Sequence, residues 1–141
     1  MIGLDTNILL RYLAQNDPAQ SPRATAIIRR LTEQEPGFIC LVTILEVVWV
    51  LKSLYKRSRR EIANDLEMLL AADTFEIQNA QKVYNSVVAL RKGSGTFEDA
   101  LIGSLGTWRG CSATVTFDEK AAQRLPVSKC ATSRTCANTM S

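Results

Sequence analysis

The sequence predicts an α/β fold, a three-layer α/β/α sandwich around a central parallel sheet of about four to five strands. Three observations lead there. Short apolar, strand-like runs alternate with longer stretches at helical spacing. Strands separated by helices pair in parallel through right-handed crossovers, which places helices on both sheet faces. The chain has 141 residues, 46% of them hydrophobic and 22% charged, as suits one globular domain with a real core.

In chain order, Ile2–Leu4 is a short strand and Thr6–Ala14 a helix, with Ile8, Leu9, Tyr12 and Leu13 at helical spacing. "NDP" breaks it, and Pro18 suits the first turn of a second helix reaching about Leu31. After "EPG", "FICLV" reads as a strand. Thr43 then opens "TILEVVWVLKSLY". That stretch is apolar almost all round, so its length and the Thr43/Glu46 start decide for helix. Ser58 opens another helix, with Ile62, Leu66, Leu69 and Leu70 on one face. "TFEI" is a strand, Asn79–Lys92 a helix, "GSG" a loop and Phe97–Trp108 a helix. "CSATVTF" is a strand and Asp118–Arg124 a short helix. The domain is expected over 1–125. The tail over 126–141 is polar and reads as weakly ordered, with "PVSKC" as the candidate for a last strand.

Composition excludes several classes. No apolar stretch approaches the roughly 18 residues that cross a membrane. The N-terminus has no basic n-region, so no signal peptide is expected. The four cysteines, Cys40, Cys111, Cys130 and Cys136, show no C-x-x-C spacing and read as reduced thiols of a cytoplasmic chain. There is no histidine. That removes the commonest general base, the commonest zinc ligand and every Ser–His or Cys–His mechanism. Hydrolytic chemistry here must run on carboxylates.

Acids do stand where a parallel sheet concentrates function, at the C-terminal ends of its strands. Asp5 follows "IGL", Glu46 lies in the helix after "FICLV", and Asp118 follows "ATVTF". Asp99 sits in the first turn of the helix after "GSG", a loop able to carry it to the same edge. Each has a structural reading too. Thr43-x-x-Glu46 is a capping-box pattern, Thr96-x-x-Asp99 a related one, and Asp5 and Asp118 suit N-caps. Caps do not explain the coincidence. Four acids at one edge repel unless a cation sits among them, and an all-oxygen set selects Mg²⁺ or Mn²⁺.

Charge points the same way. The chain has 17 bases and 14 acids; setting the four candidates aside leaves a body of +7. Arg29–Arg30, the run from Lys56 to Arg60 and Arg91–Lys92 either steer a polyanion or solvate helix faces.

"MIGLDTNILLRYL", "LVTILEVVWVL", "FEDALIGSL" and "TVTFDEKAA" together resemble PIN-domain ribonucleases, specifically VapC-type toxins of toxin–antitoxin pairs. The four motifs come in family order at family spacing, up to about Leu125. The resemblance implies that Asp5 and Asp99 are metal ligands and that Glu46 and Asp118 complete the pocket. Thr6, Asn7 and Thr116 match positions that orient the carboxylates or a water. It implies hydrolysis of an RNA phosphodiester, of tRNA or rRNA class, with Mg²⁺ or Mn²⁺ as cofactor. It also implies a small antitoxin protein as partner and a homodimer, with no membrane association. The apolar 43–55 segment serves either core packing or such an interface. The alternative is a catalytically silent PIN-like module that binds RNA or a partner. A D-x-D phosphatase would need an acid where Asn7 stands, and a receiver domain lacks its Asp/Lys pair.

Overall fold

The computed structural model describes residues 1–124 and the backbone of Ser128–Cys130. The remaining tail positions, on which the expectation of weak order falls, lie outside the described residues. The chain divides into two compact units, Met1–Ala80 and Gln81–Ser141.

The first unit runs β1 (Ile2–Gly3), α1 (Thr6–Ala14), α2 (Gln20–Arg29), β2 (Gly37–Ile39), α3 (Leu41–Ser53), α4 (Arg59–Ala71) and β3 (Phe75–Ile77). Its sheet has the order β1-β2-β3, all parallel, with Ile2 opposite Gly37 and Ile39 opposite Ile77. The ladder continues past β1, since Leu4 N–H donates to the Phe38 carbonyl at 2.9 Å. Gly37 is required by close approach: a Cβ there would stand 2.6 Å from Leu4 Cδ1 and 2.8 Å from Leu31 Cδ1. Leu9, Ile39, Ile44, Val47 and Leu51 are fully buried. Each such side chain contributes about 1.5–3 kcal/mol on leaving water.

Local chemistry sets the helix limits. Asp5, in extended conformation, caps α1 by accepting from Thr6 N–H at 2.8 Å. Gln15 ends α1 in the left-handed region at φ 51°. Asp17 Oδ1 accepts from the N–H groups of Ala19 and Gln20, at 2.9 and 2.7 Å, so α2 opens at Gln20 rather than at Pro18 and closes at Arg29. Ser58 caps α4 by accepting from Glu61 N–H, as its position predicts. Within the basic run, Arg57 is structural. Its guanidinium donates to Asp65 Oδ2 at 3.0 Å and to the Leu13 carbonyl at 3.2 Å, tying α4 to the end of α1.

One element differs from expectation. The "FICLV" strand ends at Ile39, and Leu41 and Val42 already belong to α3. Cys40 is the N-cap, and Leu41 N–H is held by Gln78 Oε1 at 2.9 Å, just beyond β3. Thr43 therefore lies inside the helix, buried, with its hydroxyl 3.2 Å from Cys40 Sγ. The Thr43/Glu46 capping box does not form. α3 buries Ile44, Val47, Val48 and Leu51, while Val42 and Trp49 stay exposed at 66% and 55%. Core packing thus accounts for one face of the 43–55 segment and leaves the other open.

The second unit holds α5 (Ala80–Lys92, entered from the end of the first), α6 (Phe97–Trp108), β4 (Thr114–Thr116), α7 (Glu119–Arg124) and β5 (Ser128–Cys130). β4 and β5 pair in parallel, Thr114 opposite Ser128 and Thr116 opposite Cys130. "CSATVTF" is thus strand over three residues only, and the "PVSKC" candidate does supply a last strand. Gly110, at φ +94°, turns the chain out of α6 toward β4, a conformation glycine adopts without strain. A Cβ on Gly106 would lie 3.2 Å from Thr114 Oγ1, so α6 and β4 approach closely there. All strand pairs are parallel, as the α/β reading expects.

Candidate active site

In the first unit, the C-terminal ends of β1 and β2 lead directly into α1 and α3. Two of the sequence-predicted acids meet there through one residue. Thr6 donates its backbone N–H to Asp5 Oδ1 and its hydroxyl to Glu46 Oε2, both at 2.8 Å. Thr6 is itself buried, so its hydroxyl is held in place. Asp5 and Glu46 are exposed, and neither has a cationic partner among the described residues. Each carboxylate therefore keeps one oxygen with no hydrogen bond to the described residues. Asn7 follows on the same helical turn, exposed and with no hydrogen bond from its carboxamide among the described residues.

Glu46 has no capping role, because α3 starts five residues before it. Asp5 does cap its helix and still presents a free oxygen. The thiol of Cys40 lies below the ordinary cysteine value, chiefly through its hydrogen bond with the Thr43 hydroxyl, then through Thr43 N–H, with burial opposing.

In the second unit, Thr96 caps α6 by accepting from Asp99 N–H at 3.1 Å, which leaves the half-buried Asp99 carboxylate in the first turn without a capping task. Thr116, at the end of β4, accepts from Asp118 N–H at 3.0 Å. Asp118 Oδ1 accepts from the N–H groups of Lys120 and Ala121 at 2.9 and 3.1 Å. Thr116 thus orients the chain at Asp118, and Asp118 caps α7.

Two features were not legible in advance. Gln78 fixes the start of α3 from 37 residues away, a link that no local pattern carries. A cleft of about 240 Å³ opens beside α1, rimmed by Asn7, Arg11, Gln20 and Arg23. Its sequence signal was only the i, i+4 spacing of Asn7 and Arg11 on one helix face.

The donors offered by Asp5 and Glu46 are all oxygen and carry net negative charge. Among the described residues, no three acids or cysteines gather closely enough to form a metal-binding group on their own. Mg²⁺ does not require one: it is commonly held by one or two carboxylates, several waters and substrate phosphates. The Asp5/Glu46 pair fits that chemistry.

A family model described as PIN domain matches residues 2–126. This chain belongs to the PIN domain family. PIN domains are generally nucleases and typically use divalent metals. No curated protein matches the chain. Among the described residues, no helix is long and apolar enough to cross a membrane.

Proposed function

We propose that this chain is a Mg²⁺- or Mn²⁺-dependent endoribonuclease, the VapC-type toxin of a toxin–antitoxin pair, its domain spanning 1–125. Asp5, Glu46, Asp99 and Asp118 are its metal-binding and catalytic acids, with Thr6, Asn7 and Thr116 in support. The observation that carries the reading is the Thr6 hydroxyl on Glu46 at 2.8 Å, beside the same residue's N–H on Asp5. Two carboxylates without counter-ions are thereby aligned at the C-terminal edge of a parallel sheet. The aspartates of the second unit join the set by motif order and family membership.

A bound divalent ion would supply an acidified water and offset charge on the scissile phosphate. The chain's own residues do the rest. Thr6 holds Glu46 and Asp5 in fixed rotamers, so the acids do not reorganise on substrate entry. One carboxylate accepts the proton of the attacking water. Water attack, rather than attack by a ribose 2′-OH, leaves 5′-phosphate and 3′-OH ends. A small antitoxin, a homodimer and a cytoplasmic location accompany this reading, and exposed Val42 and Trp49 on α3 give a protein interface apolar surface to use.

The test is cleavage of a tRNA and rRNA mixture with Mg²⁺ or Mn²⁺ and with EDTA, followed by end analysis. Metal-dependent cleavage with 5′-phosphate ends supports the proposal. RNA binding without cleavage in either metal would instead identify a silent RNA-binding PIN module.

A further inference from the structure

The cleft between α1 and α2 has a composition that the acids do not explain. Its lining combines apolar Ile8, Ala24 and Ile27 with two guanidinium and two carboxamide groups. No acid lines it. Arg11 is engaged at every nitrogen: Nε donates to Gln20 Oε1 at 2.7 Å, Nη1 reaches Tyr55 Oη at 3.4 Å and Asn16 Oδ1 at 3.5 Å, and Nη2 lies 3.9 Å from Asp17 Oδ2. That leaves the Gln20 amide nitrogen free to donate. Arg23 is exposed on α2 and has no hydrogen bond or ion pair among the described residues. The Asn7 carboxamide likewise has no hydrogen bond among the described residues.

This is the inventory of a nucleotide site. Guanidinium groups suit a phosphate, carboxamides offer the paired donor and acceptor that match a base edge, and branched aliphatic side chains take a base face. At about 240 Å³ the cleft is smaller than the roughly 300–1,000 Å³ typical of pockets for whole drug-sized ligands. It suits one unit of a polymer. Position adds to this. Asn7 stands two residues after Asp5 on α1, and Arg11 one turn further, so the cleft opens within about 9 Å of Asp5 along the helix axis.

We propose that this cleft is a nucleotide subsite that holds the RNA strand next to the scissile phosphate. Arg23 takes a backbone phosphate, Arg11 positions Gln20, and Asn7 and Gln20 face the base. The inference rests on the nuclease reading for its substrate, and it assigns to α2 a part in RNA binding that the acid motifs do not touch. Charge favours RNA over a protein occupant: the one cation of the cleft without a partner among the described residues is Arg23, it stands beside amide groups, and every nucleotide brings the matching anion.

The test compares Arg23→Ala with Arg30→Ala. Each removes one exposed positive charge, from α2 or from its C-cap, but Arg30 does not line the cleft. Binding of a short single-stranded RNA is measured by fluorescence anisotropy in EDTA across a salt series, with melting curves to confirm folding. Arg23→Ala is expected to weaken binding about tenfold and to lower the salt slope by about 0.7, the value for one phosphate contact on a single strand. Arg30→Ala is expected to change binding less than twofold, and Arg23→Lys to recover part of the loss. In cleavage assays Arg23→Ala should raise KM and leave kcat within about twofold. Equal effects of the two alanine variants would overturn the subsite, because long-range charge alone would explain them. So would unchanged RNA binding by Arg23→Ala together with lost binding of a Glu/Leu-alternating peptide, which would assign the cleft to a protein. If the wild type cleaves no RNA yet the Arg23 effect on binding persists, the subsite stands and the nuclease reading fails.

Discussion

Thr6 and Glu46, 40 residues apart in the chain, are joined by a 2.8 Å hydrogen bond from the hydroxyl to the carboxylate. The same threonine holds Asp5 through its backbone. One buried residue thereby sets the positions of two exposed acids, and this arrangement makes the site separable from the fold.

Thr6→Val tests that separation. It keeps the shape and removes the hydroxyl. Glu46 is exposed and regains water, so the cost to stability should be that of one hydrogen bond, about 0.5–1.5 kcal/mol. Turnover should fall roughly tenfold, as expected for losing a group that orients another's ligand. Thr6→Ser should restore turnover. Steady-state kinetics beside thermal melts read both effects.

Glu46→Gln should melt almost normally, because Glu46 caps nothing in α3. Thr6 retains an oxygen to donate to. Cleavage should fall roughly 10²-fold or more, the lower range for a positioned acid–base group, with weaker dependence on divalent metal. Near-normal cleavage would move Glu46 out of the active site.

Divalent metal should raise the melting temperature, and EDTA should reverse the rise. At a hundredfold excess over Kd, binding to the folded state alone contributes about 2.7 kcal/mol. Differential scanning fluorimetry with Mg²⁺, Mn²⁺ and Ca²⁺ measures this. A flat midpoint would leave Asp5 and Asp118 as helix caps and no more.

Acid stability should depend on two aspartates in opposite senses. The N–H groups of Gln20 and Ala19, then Arg11, hold Asp17 below the usual carboxylate range. Its contribution is present above its ordinary value and is lost as pH falls through its lowered value. Burial pushes Asp65 up, more than Arg57 pulls it down. Its contribution is present at low pH and is lost as pH rises through its raised value. Asp17→Asn should therefore flatten the loss of stability on acidification. Asp65→Asn should steepen the loss just above its ordinary value. Melting temperatures of the two variants across pH 2.5–6, about the range where carboxylates titrate, check both signs.

The sequence made some of this legible and hid the rest for physical reasons. α1 and α6 begin and end where expected, because Asp5 and Thr96 are local caps and caps are local chemistry. α3 began two residues earlier than Thr43 indicated. An apolar run carries no period to separate strand from helix, and the deciding group is the Gln78 carboxamide, brought in by β3. Asp5, Glu46, Asp99 and Asp118 were readable as acids after strands or in first turns. The bond that couples Thr6 to Glu46 was not, since it exists only once β1 and β2 pair. Arg57 read as one of a basic run, and only Asp65 in space shows that it is structural.

The most direct measurement is RNA cleavage by Asp5→Asn beside its metal-free melting curve. Asn is as good an N-cap as Asp, so α1 should keep its start. The exchange removes one charge from an acidic site, so the metal-free midpoint should stay level or rise. Cleavage in Mn²⁺ or Mg²⁺ should collapse, and the stabilisation by metal should go with it. An Asp5→Asn protein that still cleaves RNA at the wild-type rate, or one that loses activity only because it unfolds, would contradict the account and return Asp5 to the role of a helix cap.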